Sequence, residues 1–324
     1  MTQIQGKVVR NTGAHYIVET PDGEEISCKV KGNFRIRGIR TTNPVAVGDI
    51  VTVSINEADK TRGADATSWI TAITPRRNYI IRRASNLSKE SHIIAANVDL
   101  AVLVVTLAHP TTSTTFIDRF LATAEAYDVP ALLAINKVDL LKDDPDDMEL
   151  LDAVTYLYKS IGYPVMHISA ATGEGMDAFR DALRDKVSLL TGNSGVGKST
   201  IINSLIPGIE ARTAAISEAH DQGMHTTTFS ELYHLPGGGE IIDTPGIRGF
   251  GTIDFDRYSV AHYFPEIFEE SKNCRFGNCT HTHEPGCAVR AAVDESRIAQ
   301  SRYASYLSIL EDSDEGTDKY RKGY

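Results

Sequence analysis

The residues Gly192-Asn193-Ser194-Gly195-Val196-Gly197-Lys198-Ser199 have the spacing G-x-x-x-x-G-K-[ST], and these residue types can hold a chain of phosphates. Glycines let successive backbone N–H groups converge on phosphate oxygens. A helix starting there adds its dipole. Lys198 supplies a point charge for the β- and γ-phosphates, and the Ser199 hydroxyl can join a Mg²⁺ shell. Thr200 follows in the first helical turn and completes this candidate phosphate set.

A second string, Asn136-Lys137-Val138-Asp139, suits a purine base. An Asp carboxylate can accept two N–H bonds, which guanine offers from N1 and its exocyclic amine and adenine does not. Ser169-Ala170 adds a turn whose N–H can meet the guanine carbonyl. Asp243-Thr244-Pro245-Gly246 supplies a carboxylate for water-mediated Mg²⁺ binding and a Gly246 N–H that senses the γ-phosphate. His225-Thr226-Thr227-Thr228 lies between the phosphate string and Asp243. Thr226 is the preferred additional Mg²⁺ ligand, and Thr227 is second. Ile247 stands where many GTPases carry a water-orienting glutamine, so intrinsic hydrolysis should be slow. His225 is the nearest side chain able to take that role, with His220 as a neighbour. These residues make a GTP site with bound Mg²⁺. A small-metabolite kinase would leave Asn136–Asp139 and Ser169-Ala170 without roles.

The order of the strings is unusual. The base-side residues precede the phosphate string, and Asp243 comes last. The same sheet forms if the original termini are joined and the chain is reopened elsewhere, because domain termini often lie close together. The chain therefore reads as a circularly permuted GTP-binding domain.

A third constellation is Cys274-x4-Cys279-x-His281-x5-Cys287. Three thiolates and an imidazole fill a tetrahedral Zn²⁺ shell with no open position, which suits a structural site. His283 is the competing ligand. Cys28 lies far away in sequence and reads as a buried thiol.

Elements must position these residues. Up to about residue 75, five short apolar runs (7–10, 16–19, 26–30, 50–55 and 69–73) alternate with turn signals, as in a small OB-type barrel; an SH3-like barrel fits almost as well. From residue 98, buried strand patterns (98–106, 131–136, 165–169, 187–191) alternate with helical ones (114–127, 148–161, 176–183), which predicts a parallel α/β sheet. Residues 208–228 read as a loop, and 229–235 with 240–243 as a hairpin. Residues 255–310 read as helices interrupted by the Cys/His cluster, with a polar, frayed tail from Glu311. The expected domains are 1–75 (barrel), 76–253 (permuted GTPase) and 254–324 (mainly α, zinc-binding).

The formal net charge is −10, which taken whole argues against a nucleic-acid partner. It is unevenly spread: residues 1–85 carry +5, residues 86–253 carry −11 and residues 254–324 carry −4. The basic excess, including Arg35, Arg37, Arg40, Arg76, Arg77, Arg82 and Arg83, falls on the expected barrel, the part able to meet RNA phosphates. The longest apolar run, 100–108, is too short to span a membrane, and the N-terminal residues lack a signal-peptide pattern. The expectation is a cytoplasmic protein without membrane attachment.

Taken together, the barrel pattern, the order of NKVD, SA, GNSGVGKST, HTTT and DTPG, and the segment CRFGNCTHTHEPGC resemble the bacterial ribosome small subunit-dependent GTPase A family over nearly the whole chain. The resemblance implies a GTPase whose slow turnover is stimulated by the 30S ribosomal subunit, acting late in subunit maturation. It also implies that the OB barrel and the zinc module contact 16S ribosomal RNA. A monomer is expected. In a competing reading, the GTP-bound protein is a placeholder on RNA and hydrolysis is incidental. One departure from the family pattern is Gly249 after Arg248, where an acidic residue is usual.

Overall fold

Alternating apolar residues build a barrel, unbroken apolar runs build a parallel sheet, and one long strand of the barrel pairs with the edge of that sheet. The structure, a computed structural model, describes residues 2–12, 15–30, 44–55, 68–83, 91–209, 230–244 and 255–321, without the side chains of 82, 83, 91, 92 and 313–321. Strands β1 (Thr2–Asn11), β2 (Tyr16–Glu19), β3 (Glu25–Val30), β4 (Ile50–Ile55) and β5 (Ser68–Ile73) form a five-stranded barrel. The ring runs β1-β2-β3-β5-β4 and closes through a β1–β4 pair, with β3 and β5 parallel. This is the OB arrangement rather than the SH3-like one. Every second residue points inward, so Val8, Val18, Cys28, Val51, Val53 and Ile70 make its core. Burial pushes the Cys28 thiol up to about 12, in keeping with an inert core residue.

A hairpin of β6 (Tyr79–Arg83) and β7 (Ser91–Ala96) comes next. Sequence patterning does not reveal it, because Arg82 and Arg83 break its apolar run. Arg76, counted above with the basic excess able to meet RNA phosphates, is instead turned inward. Its guanidinium is buried and makes two 2.6 Å bonds to the fully buried Asp49, so it ties the segment leading into β6 to the turn before β4. Arg77 remains well exposed and pairs with Asp99. Arg35, Arg37 and Arg40 lie outside the described residues.

The second sheet has the order β10-β9-β8-β11-β13-β12, from β8 (Leu100–Val105), β9 (Ala131–Ile135), β10 (Val165–His167), β11 (Val187–Thr191), β12 (Glu231–His234) and β13 (Glu240–Asp243). All its pairs are parallel except β12–β13. Burial on both faces explains the unbroken apolar runs of β8 and β9. Leu103, Val105, Leu133 and Ile135 face helices α1 (Thr114–Ala126) and α2 (Pro145–Ile161). Val102, Val104, Leu132 and Ala134 face α3 (Met176–Leu183) and α4 (Lys198–Leu205). The long β1 also pairs with β12 (Arg10 opposite Glu231), which joins barrel and α/β sheet into one eleven-stranded sheet.

The C-terminal part contains a 3₁₀ turn (Val260–Tyr263) and helices α5 (Pro265–Ser271), α6 (Ala288–Asp294) and α7 (Gln300–Arg321). Helix α7 runs through the tail expected to fray. That stretch holds no proline, and Gly316 alone costs only about 1 kcal/mol of helix propensity. Helix α7 packs on α1 through a buried cluster. Arg302 bonds Asp118 at 2.9 Å and Glu266 at 2.6 and 3.1 Å, and the Tyr158 hydroxyl donates to Asp118 at 2.8 Å. The expected loop 208–228 lies outside the described residues from position 210 onward. Among the described residues no helix is long and apolar enough to cross a membrane.

Candidate nucleotide site and metal centre

The parallel strands place their carboxyl ends along one edge of the sheet, where ligands of open α/β folds bind. The residues after β9 (136–139), after β10 (168–170), after β11 (192–199) and Asp243 at the end of β13 meet there. Gly192 to Gly197 form the turn between β11 and α4. A Cβ on Gly192 (φ 152°) would strike the Val104 carbonyl at 2.3 Å, and one on Gly197 (φ 94°) would lie 2.5 Å from Asn136 Nδ2. Glycine is required at both positions because the neighbouring chain approaches so closely.

Asn136 is almost fully buried and locks three of these loops. Its Nδ2 donates to the Val196 carbonyl (2.8 Å), and its Oδ1 accepts from the Ala170 N–H (3.1 Å). The sequence reading has the Ser169-Ala170 turn offer an N–H to the base; in the structure that of Ala170 joins the two base-side loops. Ser169 is buried, and its hydroxyl accepts from the Thr172 N–H. Val138 is buried in the core beneath the loop. Lys137 sits in the left-handed region (φ 62°) and donates to the His109 carbonyl at 2.7 Å. Asp139 has one buried carboxylate oxygen, Oδ1, with no partner. A buried acceptor left unpaired is costly, so its presence at a strand-end cleft points to a donor brought by a ligand.

On the phosphate side, Lys198 donates to the carbonyls of Gly192 (2.6 Å) and Asn193 (2.8 Å). Burial pushes its ammonium below the ordinary value, and Asp243 opposes that shift. Asp243 is pushed up to about 6, mainly by burial and also by Glu231, while Lys198 pulls the other way. Its Oδ1 is also a buried orphan. Ser199 is half-buried and Thr200 exposed, both in the first turn of α4, while Ser194 and Gly195 are exposed on the loop. An anionic ligand with a divalent cation supplies what this set lacks: charge for Lys198 and a positive partner for Asp243. His225, Thr226 and Gly246 lie outside the described residues, as do Ile247 and Gly249.

One segment of the site is absent from the sequence reading. The loop between β8 and α1, residues 106–113, reaches both Lys137 and the phosphate loop. Its only local signal is His109-Pro110 followed by Thr111-Thr112, which by itself suggests an ordinary turn.

The metal centre is assembled by a loop between α5 and α6. Ligand atoms of Cys274, Cys279, His281 and Cys287 all lie within 4.8 Å of one another. His281 Nδ1 is 3.6 Å from the Cys274 sulfur and 3.5 Å from that of Cys287. His283 instead bonds Thr282 through Nδ1. Burial keeps His281 below its ordinary pKa, hence neutral, and pushes the Cys279 thiol up to about 12. A dication is what would turn these thiols into thiolates, so the donor set fits one. Outer contacts fix the loop. Tyr303 donates to the His281 carbonyl (2.6 Å) and Tyr306 to that of Thr280 (2.8 Å). Burial would raise the Glu284 carboxyl. Donation by the Thr280 hydroxyl and by the N–H groups of Thr280, His283 and Glu284 itself outweighs it, holding Glu284 well below the carboxylate range.

A phosphate loop, an NKVD turn and a strand-end aspartate, placed in permuted order on a parallel sheet, define a circularly permuted P-loop GTPase. The sequence model described as RsgA GTPase matches residues 73–253, and that of the RsgA N-terminal domain matches residues 5–63. The chain belongs to the RsgA GTPase family and is an enzyme that hydrolyses GTP to GDP and phosphate. It is 58% identical to the small ribosomal subunit biogenesis GTPase RsgA of Bacteroides fragilis over 321 residues, 99% of this chain and 100% of that one. It is 57% identical to the protein of that name from Porphyromonas gingivalis over 324 residues, again 99% and 100%. Among solved structures it resembles YjeQ from Thermotoga maritima, with a TM-score of 0.75 at 32% identity, covering 96% of this chain and 99% of that one. It also resembles YloQ, a circularly permuted GTPase, with a TM-score of 0.69 at 28% identity, covering 97% and 96%.

Proposed function

We propose that this GTPase binds the 30S ribosomal subunit and its 16S rRNA during late subunit maturation, and that subunit binding stimulates its hydrolysis of GTP. The names of its full-length relatives support the ribosomal partner. The observation that carries guanine selectivity is the unpartnered, buried Oδ1 of Asp139 beside the loops locked by Asn136. In this reading Asn136, Lys137, Val138, Asp139, Ser169 and Ala170 hold the base. Gly192 to Thr200 and Gly246 hold the phosphates, and Ser199, Thr226 and Asp243 hold Mg²⁺, directly or through water. His225 orients the attacking water. Cys274, Cys279, His281 and Cys287 bind one structural Zn²⁺, as the three-thiol, one-imidazole donor set favours.

The working organisation is an RNA-binding barrel (1–75), the GTPase domain (76–253) and a zinc-binding helical module (254–324), acting as a cytoplasmic monomer. Ile247 at the usual glutamine position favours a second reading, in which the GTP-bound protein is an RNA-bound placeholder and hydrolysis is incidental. Hydrolysis measured with and without 30S subunits separates the two. Stimulated turnover supports the enzyme cycle, and none supports the placeholder. His225→Ala should abolish stimulation, and unchanged turnover rejects that role for His225.

A further inference from the structure

We propose that the loop joining β8 to α1 is a fourth wall of the nucleotide site, and that Thr106 and Pro110 are positioning residues that hold the His109 carbonyl against Lys137. This rests on the reading of Asn136–Asp139 as the base site. The loop is braced well beyond what a surface connection needs. Thr106 is fully buried, and its hydroxyl donates to the Pro110 carbonyl at 2.5 Å. The Thr106 N–H donates to the Thr112 hydroxyl (3.3 Å), and the Thr112 N–H returns a bond to the Thr106 carbonyl (2.9 Å). Between these bonds His109 holds the left-handed conformation (φ 48°), which is uncommon outside glycine, and its carbonyl accepts from Lys137 Nζ at 2.7 Å. The Pro110 ring reaches the phosphate loop: its Cδ and Cγ lie 3.5 and 3.6 Å from where a Gly195 Cβ would stand.

The physical consequence concerns the four-carbon stem of Lys137. A free lysine samples many rotamers, and a ligand that orders it must offset that entropy. Here the backbone holds one end of the stem and the His109 carbonyl holds the other. The stem passes Gly197, with Cε 4.0 Å from the position of a Cβ there. A lysine held in this way offers an apolar surface already in place for a flat ring. The loop therefore contributes to guanine affinity without touching the reacting phosphates.

The test is titration of the full chain with fluorescent GDP, together with steady-state GTP hydrolysis. Thr106→Val keeps the shape and removes the hydroxyl. It should weaken GDP binding about tenfold and raise KM similarly, with kcat within about twofold. Thr106→Ser restores the hydroxyl and should restore affinity. Pro110→Ala, at an exposed position, should weaken binding in the same direction and serves if Thr106→Val does not fold. Lys137→Met should also lose affinity, and Thr106→Val should then add nothing. Wild-type binding by both loop variants, or a Thr106→Val loss of equal size in the Lys137→Met background, overturns the proposal. Asp139→Asn separates the base-site reading from the loop's role, because it should move preference from GDP to xanthosine diphosphate. If it does not, the base-site reading fails and the loop's role falls with it. If it does while the loop variants bind normally, the loop proposal alone fails.

Discussion

Replacing Asp118 by alanine should detach the C-terminal module from the GTPase domain, and the cost can be worked out from the contacts. Asp118 and Arg302 are both fully buried, and the Arg302 guanidinium also lies 4.6 Å over the Phe264 ring. Asp118 Oδ1 accepts from Arg302 Nη1 and from the Tyr158 hydroxyl. Alanine removes a charge-assisted bond worth about 1.5–3 kcal/mol and leaves the buried Tyr158 hydroxyl without its acceptor, about 1–3 kcal/mol more. Arg302 keeps its two bonds to Glu266, so its charge is not wholly unpaired. The expected loss is about 3–5 kcal/mol, the range found when one partner of a buried pair is deleted. Hydrogen exchange resolved by peptide is the suitable assay, because a chain of several domains need not unfold in one step. Amides of 114–126 and 300–312 should exchange about 10²- to 10⁴-fold faster, while the barrel strands change little. The double variant Asp118→Leu with Arg302→Met removes both charges, and Glu266, partly solvated, can reach water. It should cost far less than the two single changes added together. Exchange within about threefold of wild type in Asp118→Ala, or additive costs in the double variant, would mean that this buried cluster does not hold the C-terminal module in place.

In the Mg²⁺ role proposed for it, Asp243, pushed up to about 6, must ionise. Its folded pKa lies above its unfolded one, so the native chain without nucleotide loses stability as pH rises from about 4 to about 6. Mg²⁺-dependent nucleotide binding has the opposite sign: it should release a proton and weaken as pH falls through about 6. Asp243→Asn should flatten that dependence in calorimetric titrations. Cys287→Ser, or chelation, should release the Zn²⁺ proposed for this centre in a colorimetric metal assay and expose 274–287 to protease, leaving GDP affinity within about twofold if the centre is purely structural. Neutralising Arg35, Arg37 and Arg40 together should weaken ribosome binding and flatten its salt dependence, the log–log slope falling by up to about 3. An unchanged slope in sedimentation assays would place the RNA contact elsewhere.

The strings 136–139, 192–199 and 274–287 were legible because their chemistry is local. A turn able to cradle phosphate, a strand-end carboxylate and a closely spaced set of donor side chains each fit within a few consecutive residues. The barrel and the α/β sheet were legible as well, since periods of 2.0 and 3.6 record which side of each element meets the core. Even the permuted order needed only the succession of strings. Tertiary structure alone decided which distant residues became partners. Asp118 and Arg302 lie 184 positions apart, and each in isolation reads as an ordinary surface charge. Arg76 reads as part of a basic surface until Asp49 buries it. The span of β1 across both sheets depends on an edge at β12 that no local pattern announces. His109 joined the site only because β8 and β9 are neighbours and deliver the loop 106–113 beside Lys137. Sequence determined the kind of ligand this chain handles, since that depends on side-chain chemistry at short spacing. The fold decided how firmly the ligand's contacts are held, since that depends on contacts between segments far apart in the chain.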